Sequence, residues 1–305
     1  MNIAFLFPGQ GSQYVGMGSA LYNAYDIAKA TYIEASDILG YDMAKLCFEG
    51  PSEQINQTEY TQPAILATSI AAWRSLGIEA VLAIAVAGHS LGEYTALVVS
   101  DAISFRDALI IVSQRGRFMQ EAVPTGEGGM AAIIGLTGKE VEAICQSLQE
   151  VYPANYNAPD QIVIAGKEDG LKKAMIMAVE KGAKRVIPIA VSVPSHSPLM
   201  LPACNRLSAV LASISGKDLK IPLVNNKDAK EITLWPAARA SLVDQLAYPL
   251  LWDQSIQTMQ AMGADCFIEI GPSRVLSGLL KRIDRRLQVM NVESPEGIQK
   301  VKEAL

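Results

Sequence analysis

Histidine is scarce in this chain of 305 residues: there are two, His89 and His196, so any imidazole chemistry must fall to one of them. Cysteine is nearly as scarce. Cys47, Cys145, Cys204 and Cys266 are scattered, form no C-x-x-C pair and have no histidine at ligand spacing. That argues against a disulfide framework or a zinc site and reads as reduced core residues of a cytoplasmic protein. No apolar run approaches the roughly 18 residues that cross a bilayer, and the first seven residues carry no basic side chain, so neither a membrane span nor a signal peptide is expected. A large excess of one charge is also missing. The formal net charge of −5 disfavours nucleic acid as a general partner. Hydrophobic residues, 50% of the total, are abundant, and the length supports a large core and room for two domains.

The stretch at 81–100, VLAIAVAGHSLGEYTALVVS, organises the rest. Residues 81–87 are apolar without interruption and fit a buried strand. Gly88-His89-Ser90-Leu91-Gly92 then gives G-x-S-x-G, and a helix is expected from Glu93 onward. Strand, sharp turn and helix are the context of a nucleophile elbow, which exposes the Ser90 hydroxyl and turns the N–H of Leu91 toward a developing oxyanion. A first strand at 3–7 leads into Pro8-Gly9-Gln10-Gly11, which lacks both the G-K-[ST] ending of a P-loop and the G-x-G-x-x-G spacing. The turn around Gln10 is either a plain tight turn or a device that brings a backbone N–H near a reacting group.

Helices are expected at 19–39, 60–76 and 107–119, the last carrying Arg115 and Arg117, which on pattern alone face solvent. Beyond Pro124 the glycine-rich link 125–129 opens a compact βαββαβ succession. Strands are expected at 130–135, 151–155, 161–165 and 185–189, with a Thr137/Glu140 capping box before the first helix and a second helix ending at Gly182. Residues 191–198, VSVPSHSP, form a proline-pinned loop around His196. A strand at 221–225, a helix at 242–262 broken at Pro249, a strand at 266–270 and a helix opened by Ser273 follow. The pattern predicts an α/β protein with a mostly parallel sheet, residues 1–124 and 191–305, interrupted by a ferredoxin-like subdomain at 125–190.

Serine needs a base. His89 adjoins Ser90, where neighbouring side chains diverge, which leaves His196; no aspartate stands out as a third member, and a carbonyl or amide could orient the imidazole instead.

FPGQGSQ at 7–13, YTQPA at 60–64, AGHSLGEY at 87–94, QRGRFMQEAVP at 114–124, VPSHSPLM at 193–200, PLVNN at 222–226 and EIGP at 269–272 together resemble the malonyl-CoA:acyl carrier protein transacylases of bacterial fatty-acid synthesis, in collinear order over essentially the whole chain. The resemblance implies an α/β-hydrolase-like domain with a ferredoxin-like insertion. It implies that Ser90 is acylated, that His196 is the base, that Gln10 and Leu91 supply oxyanion N–H groups, and that Gln245 holds the imidazole through its carbonyl. Arg115 matches the arginine that clamps the malonyl carboxylate, with Gln62 lining the same pocket. The implied reaction is a ping-pong transfer from malonyl-CoA to the phosphopantetheine thiol of acyl carrier protein, without metal or redox cofactor, by a cytoplasmic monomer. Because carrier proteins are acidic, a local cationic rim is expected, with Lys184, Arg185 and Arg282 as its candidates. A serine hydrolase and a non-catalytic carrier-binding protein are the rival readings.

Overall fold

The computed structural model describes every residue except 79–82, 125, 190 and 192. Val81 and Leu82 of the expected strand, Thr125 of the link and Ser192 of the histidine loop therefore lie outside the described residues. In chain order the first half comprises β1 (Ile3–Phe7), α1 (Ser19–Ala24), α2 (Asp26–Leu39), α3 (Met43–Glu49), α4 (Ser52–Ile55), α5 (Thr58–Leu76), β2 (Ala83–Gly88), α6 (Gly92–Val99) and α7 (Phe105–Ala122). A second group follows: β3 (Gly128–Ile134), α8 (Gly138–Gln146), β4 (Val151–Ala158), β5 (Gln161–Lys167), α9 (Glu168–Glu180) and β6 (Arg185–Ile189). The chain ends with α10 (Leu201–Ala212), β7 (Leu223–Val224), β8 (Glu231–Ile232), α11 (Trp235–Asp244), α12 (Trp252–Ala261), β9 (Cys266–Ile270), α13 (Val275–Ile283), β10 (Gln288–Val292) and α14 (Pro295–Ala304).

Two sheets result. The larger has the order β10-β9-β1-β2-β7-β8 and is parallel except for its β7/β8 pair. β1 is buried along its whole length because both faces are covered. Successive side chains alternate: Phe5 and Phe7 join the core beneath α5 and α6, while Ala4 and Leu6 pack with Trp252 of α12, Phe267 of β9 and Leu276 of α13. The smaller sheet is antiparallel, with the order β4-β5-β3-β6, and α8 and α9 bury Val141, Ile144, Leu171 and Ala174 against it. Its βαββαβ order is the ferredoxin-like one, and the Thr137/Glu140 capping box is formed.

Several boundaries differ from the periodic reading. The helix expected at 19–39 is two helices, parted at Tyr25, whose backbone is extended (φ −134°). The expected 242–262 helix is α11, which begins earlier at Trp235, and α12. Between them Leu250 pairs with Asn155 of β4, so tertiary pairing claims an extended segment beyond the break that Pro249 alone would make. β4 runs past the expected end at 155 through Asn157 and Ala158, which leaves Pro159-Asp160 as the connection to β5. The strand at 221–225 shrinks to β7, and the helix after Ser273 begins at Val275.

Candidate active site

β2 ends at Gly88 beside Phe7, and the His89 N–H donates to the Phe7 carbonyl at 2.9 Å, which keeps the chain in register up to the turn. Ser90 then adopts φ +52°, a left-handed conformation costly for a residue with a Cβ. α6 starts at once. A side chain at Gly92 would put its Cβ 2.1 Å from the Phe7 carbonyl oxygen, so glycine is what lets the helix sit on β1.

Ser90 Oγ and His196 Nε2 are 2.9 Å apart. The other ring nitrogen, Nδ1, lies 2.7 Å from the backbone carbonyl of Gln245. A carbonyl only accepts, so Nδ1 carries the proton and Nε2 presents its lone pair to the hydroxyl. Burial, then the Arg115 guanidinium, and more weakly His89 push the His196 imidazole down to about 3, while the Gln245 carbonyl pulls the other way. The imidazole is therefore neutral at neutral pH, as a base must be.

Arg115 does not face solvent; it is 1% exposed, whereas Arg117 two residues on is exposed. α7 meets α5 so closely that a Cβ at Gly116 would stand 2.6 Å from the Thr58 carbonyl oxygen, and the neighbouring guanidinium is carried inward with that contact. Its Nη1 donates to Gln62 Oε1 at 2.8 Å, and its Nη2 to Ser90 Oγ and Gln245 Oε1, both at 3.0 Å. The guanidinium also lies over the ring of Tyr94, 5.6 Å from its centroid. Among the described residues it forms no ion pair, and its buried Nε has no partner. Burial lowers its pKa from the ordinary arginine value.

Gln10, His89, Ser90, Arg115, Met119, Met130, Asn155, Ile189, Ser195 and His196 line one cleft between the two sheets. The cleft is small, 80 Å³ against 560 Å³ for a hollow beside α9 lined by Glu150, Lys167, Glu168 and Lys173. No histidine lines that larger hollow, and the hydroxyl of its Ser147 donates to the Ile144 carbonyl and to no side-chain base, so size does not identify the site. Neither the N–H of Gln10 nor that of Leu91 donates to an acceptor among the described residues. Gln62 is fully buried and also contacts Met119 Sδ at 3.3 Å. Ser90, His196, Arg115, Gln62, Gln245, Leu91 and Gln10 are thus brought into one neighbourhood. Lys184, Arg185 and Arg282 are not in it; they are exposed at the far end of the smaller sheet, where Arg185 and Gln161 both pair with Ile134 and Arg282 Nε donates to Gln161 Oε1 at 3.1 Å. No three His, Cys, Asp or Glu side chains cluster as metal ligands would among the described residues.

Sequence reasoning passed over Glu93, Asn226 and Asn155. Glu93, wholly buried, accepts from the Asn226 N–H with one carboxylate oxygen and from Gln245 Nε2 with the other, the latter at 2.7 Å. Burial raises it to about 8, and its hydrogen bonds and Arg115 oppose that rise. Both oxygens accept, so we assign the ionised form. Glu93 and Asn226 stand inside the quoted AGHSLGEY and PLVNN blocks, a signal that was available. Glu269 of the EIGP block is a cap, accepting from the N–H groups of Leu276 and Ser277 at 2.9 and 2.8 Å.

The model of the acyl transferase domain family matches residues 4–297 of this chain. The malonyl CoA-acyl carrier protein transacylase of Bacillus subtilis is 44% identical over 302 residues, covering 98% of this chain and 95% of the relative. The solved malonyl CoA-acyl carrier protein transacylase of Coxiella burnetii superposes with a TM-score of 0.96 at 42% identity, over 100% of this chain and 98% of its own. A malonyl-transacylase in complex with a holo type II PKS acyl-carrier protein superposes with a TM-score of 0.97 at 42% identity, over 100% of both chains.

Proposed function

Because the chain belongs to the acyl transferase domain family and, within it, to the malonyl CoA-acyl carrier protein transacylases, we propose that it moves a malonyl group from malonyl-CoA to the phosphopantetheine thiol of an acyl carrier protein, supplying extender units for fatty-acid synthesis. The observation that carries the substrate assignment is the buried Arg115 guanidinium with no carboxylate paired to it. The buried carboxylate nearest in the network, Glu93, reaches it only through Gln245, so the guanidinium is left to meet the free carboxylate of malonyl directly in a charge-assisted contact. A neutral acyl chain would offer that guanidinium no charged acceptor, which disfavours a general esterase.

The reaction runs in two halves. His196 Nε2 takes the Ser90 proton as Oγ attacks the thioester carbonyl, and the unpaired amides of Gln10 and Leu91 receive the oxyanion, each worth about 3 kcal/mol of barrier. The C–S bond then breaks, His196 returns the proton to the leaving coenzyme A thiolate, and malonyl-Ser90 remains. The carrier thiol repeats the sequence: its proton goes to His196, its sulfur attacks the ester, and Ser90 leaves with the proton. Carrier docking falls to Lys184, Arg185 and Arg282. They sit together at one end of β6, whose other end, Ile189, lines the cleft roughly 13 Å away at 3.3 Å per residue, a gap for a flexible prosthetic arm. The four cysteines are free and buried, which suits the reducing cytoplasm to which we assign the reaction.

Incubation with malonyl-CoA followed by intact-mass measurement tests this. A malonyl adduct on Ser90 that the carrier protein discharges is the expected result. Rapid release of free malonate would make the protein a hydrolase, and no adduct would make it a binder. Arg115→Ala should lower adduct formation from malonyl-CoA by about 100-fold more than from acetyl-CoA. Equal losses with the two thioesters would remove the clamp.

A further inference from the structure

Glu93 is a charge buried in the middle of the site, and the transfer chemistry leaves it without a task. We propose that Glu93 is a positioning residue whose two carboxylate oxygens, one on the Asn226 N–H and one on Gln245 Nε2, fix Gln245 and thereby set both His196 and Arg115 against Ser90. The inference rests on the acyl-transfer reading above.

Gln245 is where three functions meet. Its backbone carbonyl accepts from His196 Nδ1 at 2.7 Å, its Oε1 accepts from Arg115 Nη2 at 3.0 Å, and its Nε2 donates to the Ser90 carbonyl at 3.0 Å as well as to Glu93. Which way its amide points decides whether Arg115 meets an acceptor or another donor. Glu93 decides that, because a carboxylate can only accept from Nε2. The same carboxylate holds the Asn226 backbone, and Asn226 Oδ1 accepts the Ser90 N–H at 2.7 Å. Both backbone groups of the strained serine are therefore held by side chains that Glu93 anchors. No other side chain of this length accepts on two atoms. A glutamine here would set one of its N–H donors against either Gln245 Nε2 or the Asn226 N–H, whichever way it turned, and relief by flipping Gln245 would set its Nε2 against Arg115.

The test is the rate of Ser90 acylation by malonyl-CoA and by acetyl-CoA, followed by intact mass, in wild type, Glu93→Gln and Glu93→Asp, each shown by a cooperative melt to be folded. Glu93→Gln should slow acetylation by about 30-fold, through the base, and malonylation by about a further 10-fold, through the clamp. The ratio of the two rates is what a loss of fold stability alone would leave unmoved. If Glu93→Gln does not fold, Glu93→Asp decides the matter. Its carboxylate, one methylene shorter, reaches only one of the two donors, and the same preferential loss with malonyl-CoA is expected at smaller size. Rates within twofold of wild type, or equal losses with both thioesters, would overturn the role of Glu93 while leaving the transfer reading intact. Failure of the wild-type protein to form a malonyl adduct would instead overturn that reading itself.

Discussion

The base we assign, His196, owes its low pKa first to burial and then to the guanidinium beside it, and this fixes how the enzyme should respond to acid. A base works in its neutral form. With the folded-state value pushed down to about 3 from the ordinary 6.5, the acid limb of kcat/KM for acylation by acetyl-CoA, whose acyl group carries no charge, should fall well below pH 6.5. Arg115→Ala removes a positive charge that disfavours the imidazolium, so the pKa rises and the limb moves to higher pH. Bound malonyl does the same by neutralising Arg115, so with malonyl-CoA the limb of kcat should lie above that of kcat/KM. A wild-type limb at the ordinary histidine pH, or one that Arg115→Ala does not move, would show that the guanidinium does not act on the base. Ser90 was legible from its elbow, and His196 because only one other histidine exists. Arg115 was legible only through family resemblance, since helical periodicity cannot see that α7 presses against α5 at Gly116 and carries the next side chain inward. Glu93 was hidden for a related reason: a glutamate in the first turn of a helix ordinarily faces water, and its partners lie 133 and 152 residues away in sequence.

Among the elements, the β2–α6 junction carries the most consequence. Helix α6 can rest on β1 only while position 92 has no side chain, because a Cβ there would meet the Phe7 carbonyl at 2.1 Å. Gly92→Ala should therefore destabilise the fold by about 3 kcal/mol in denaturant unfolding and displace Ser90 from His196, so that adduct formation falls even where the protein remains folded. An alanine variant as stable and as active as wild type would mean that the junction yields more easily than a backbone contact allows. This element, β1, β9 and the βαββαβ group could be read from the sequence because each buries a strict local pattern. β10 could not: Gln288–Val292 is a half-buried edge strand with Asn291 in it, and its pairing partner β9 supplies the order that its own composition does not. The break between α11 and α12 was visible at Pro249. The extended segment it opens into was not, because β4, about 95 residues earlier in the chain, imposes it.

At the scale of the whole molecule, the cleft exists because two sheets meet: Ser90, Arg115 and His196 come from the larger layer, and Met130, Asn155 and Ile189 from the smaller. The seam that sets their spacing is short. The Leu250 N–H donates to the Ala154 carbonyl and the Tyr156 N–H donates to the Leu250 carbonyl, both at 2.8 Å, with Asn155 between them facing the cleft. β4 is an edge strand of its own sheet, so the Tyr156 N–H points outward to Leu250 and not into the β4–β5 ladder. Proline at such a position removes that one donor and spares the ladder. Tyr156→Pro should therefore loosen the wall carrying Asn155 and raise KM for malonyl-CoA by about 5-fold over Tyr156→Ala, which loses the same ring and its bond to Glu142 but keeps the N–H. The comparison isolates the backbone bond, because both variants lack the tyrosine side chain. If the two variants bind malonyl-CoA equally well, the spacing of the layers is set by side-chain packing alone, and the seam hydrogen bonds are a consequence of the cleft's shape and not its cause.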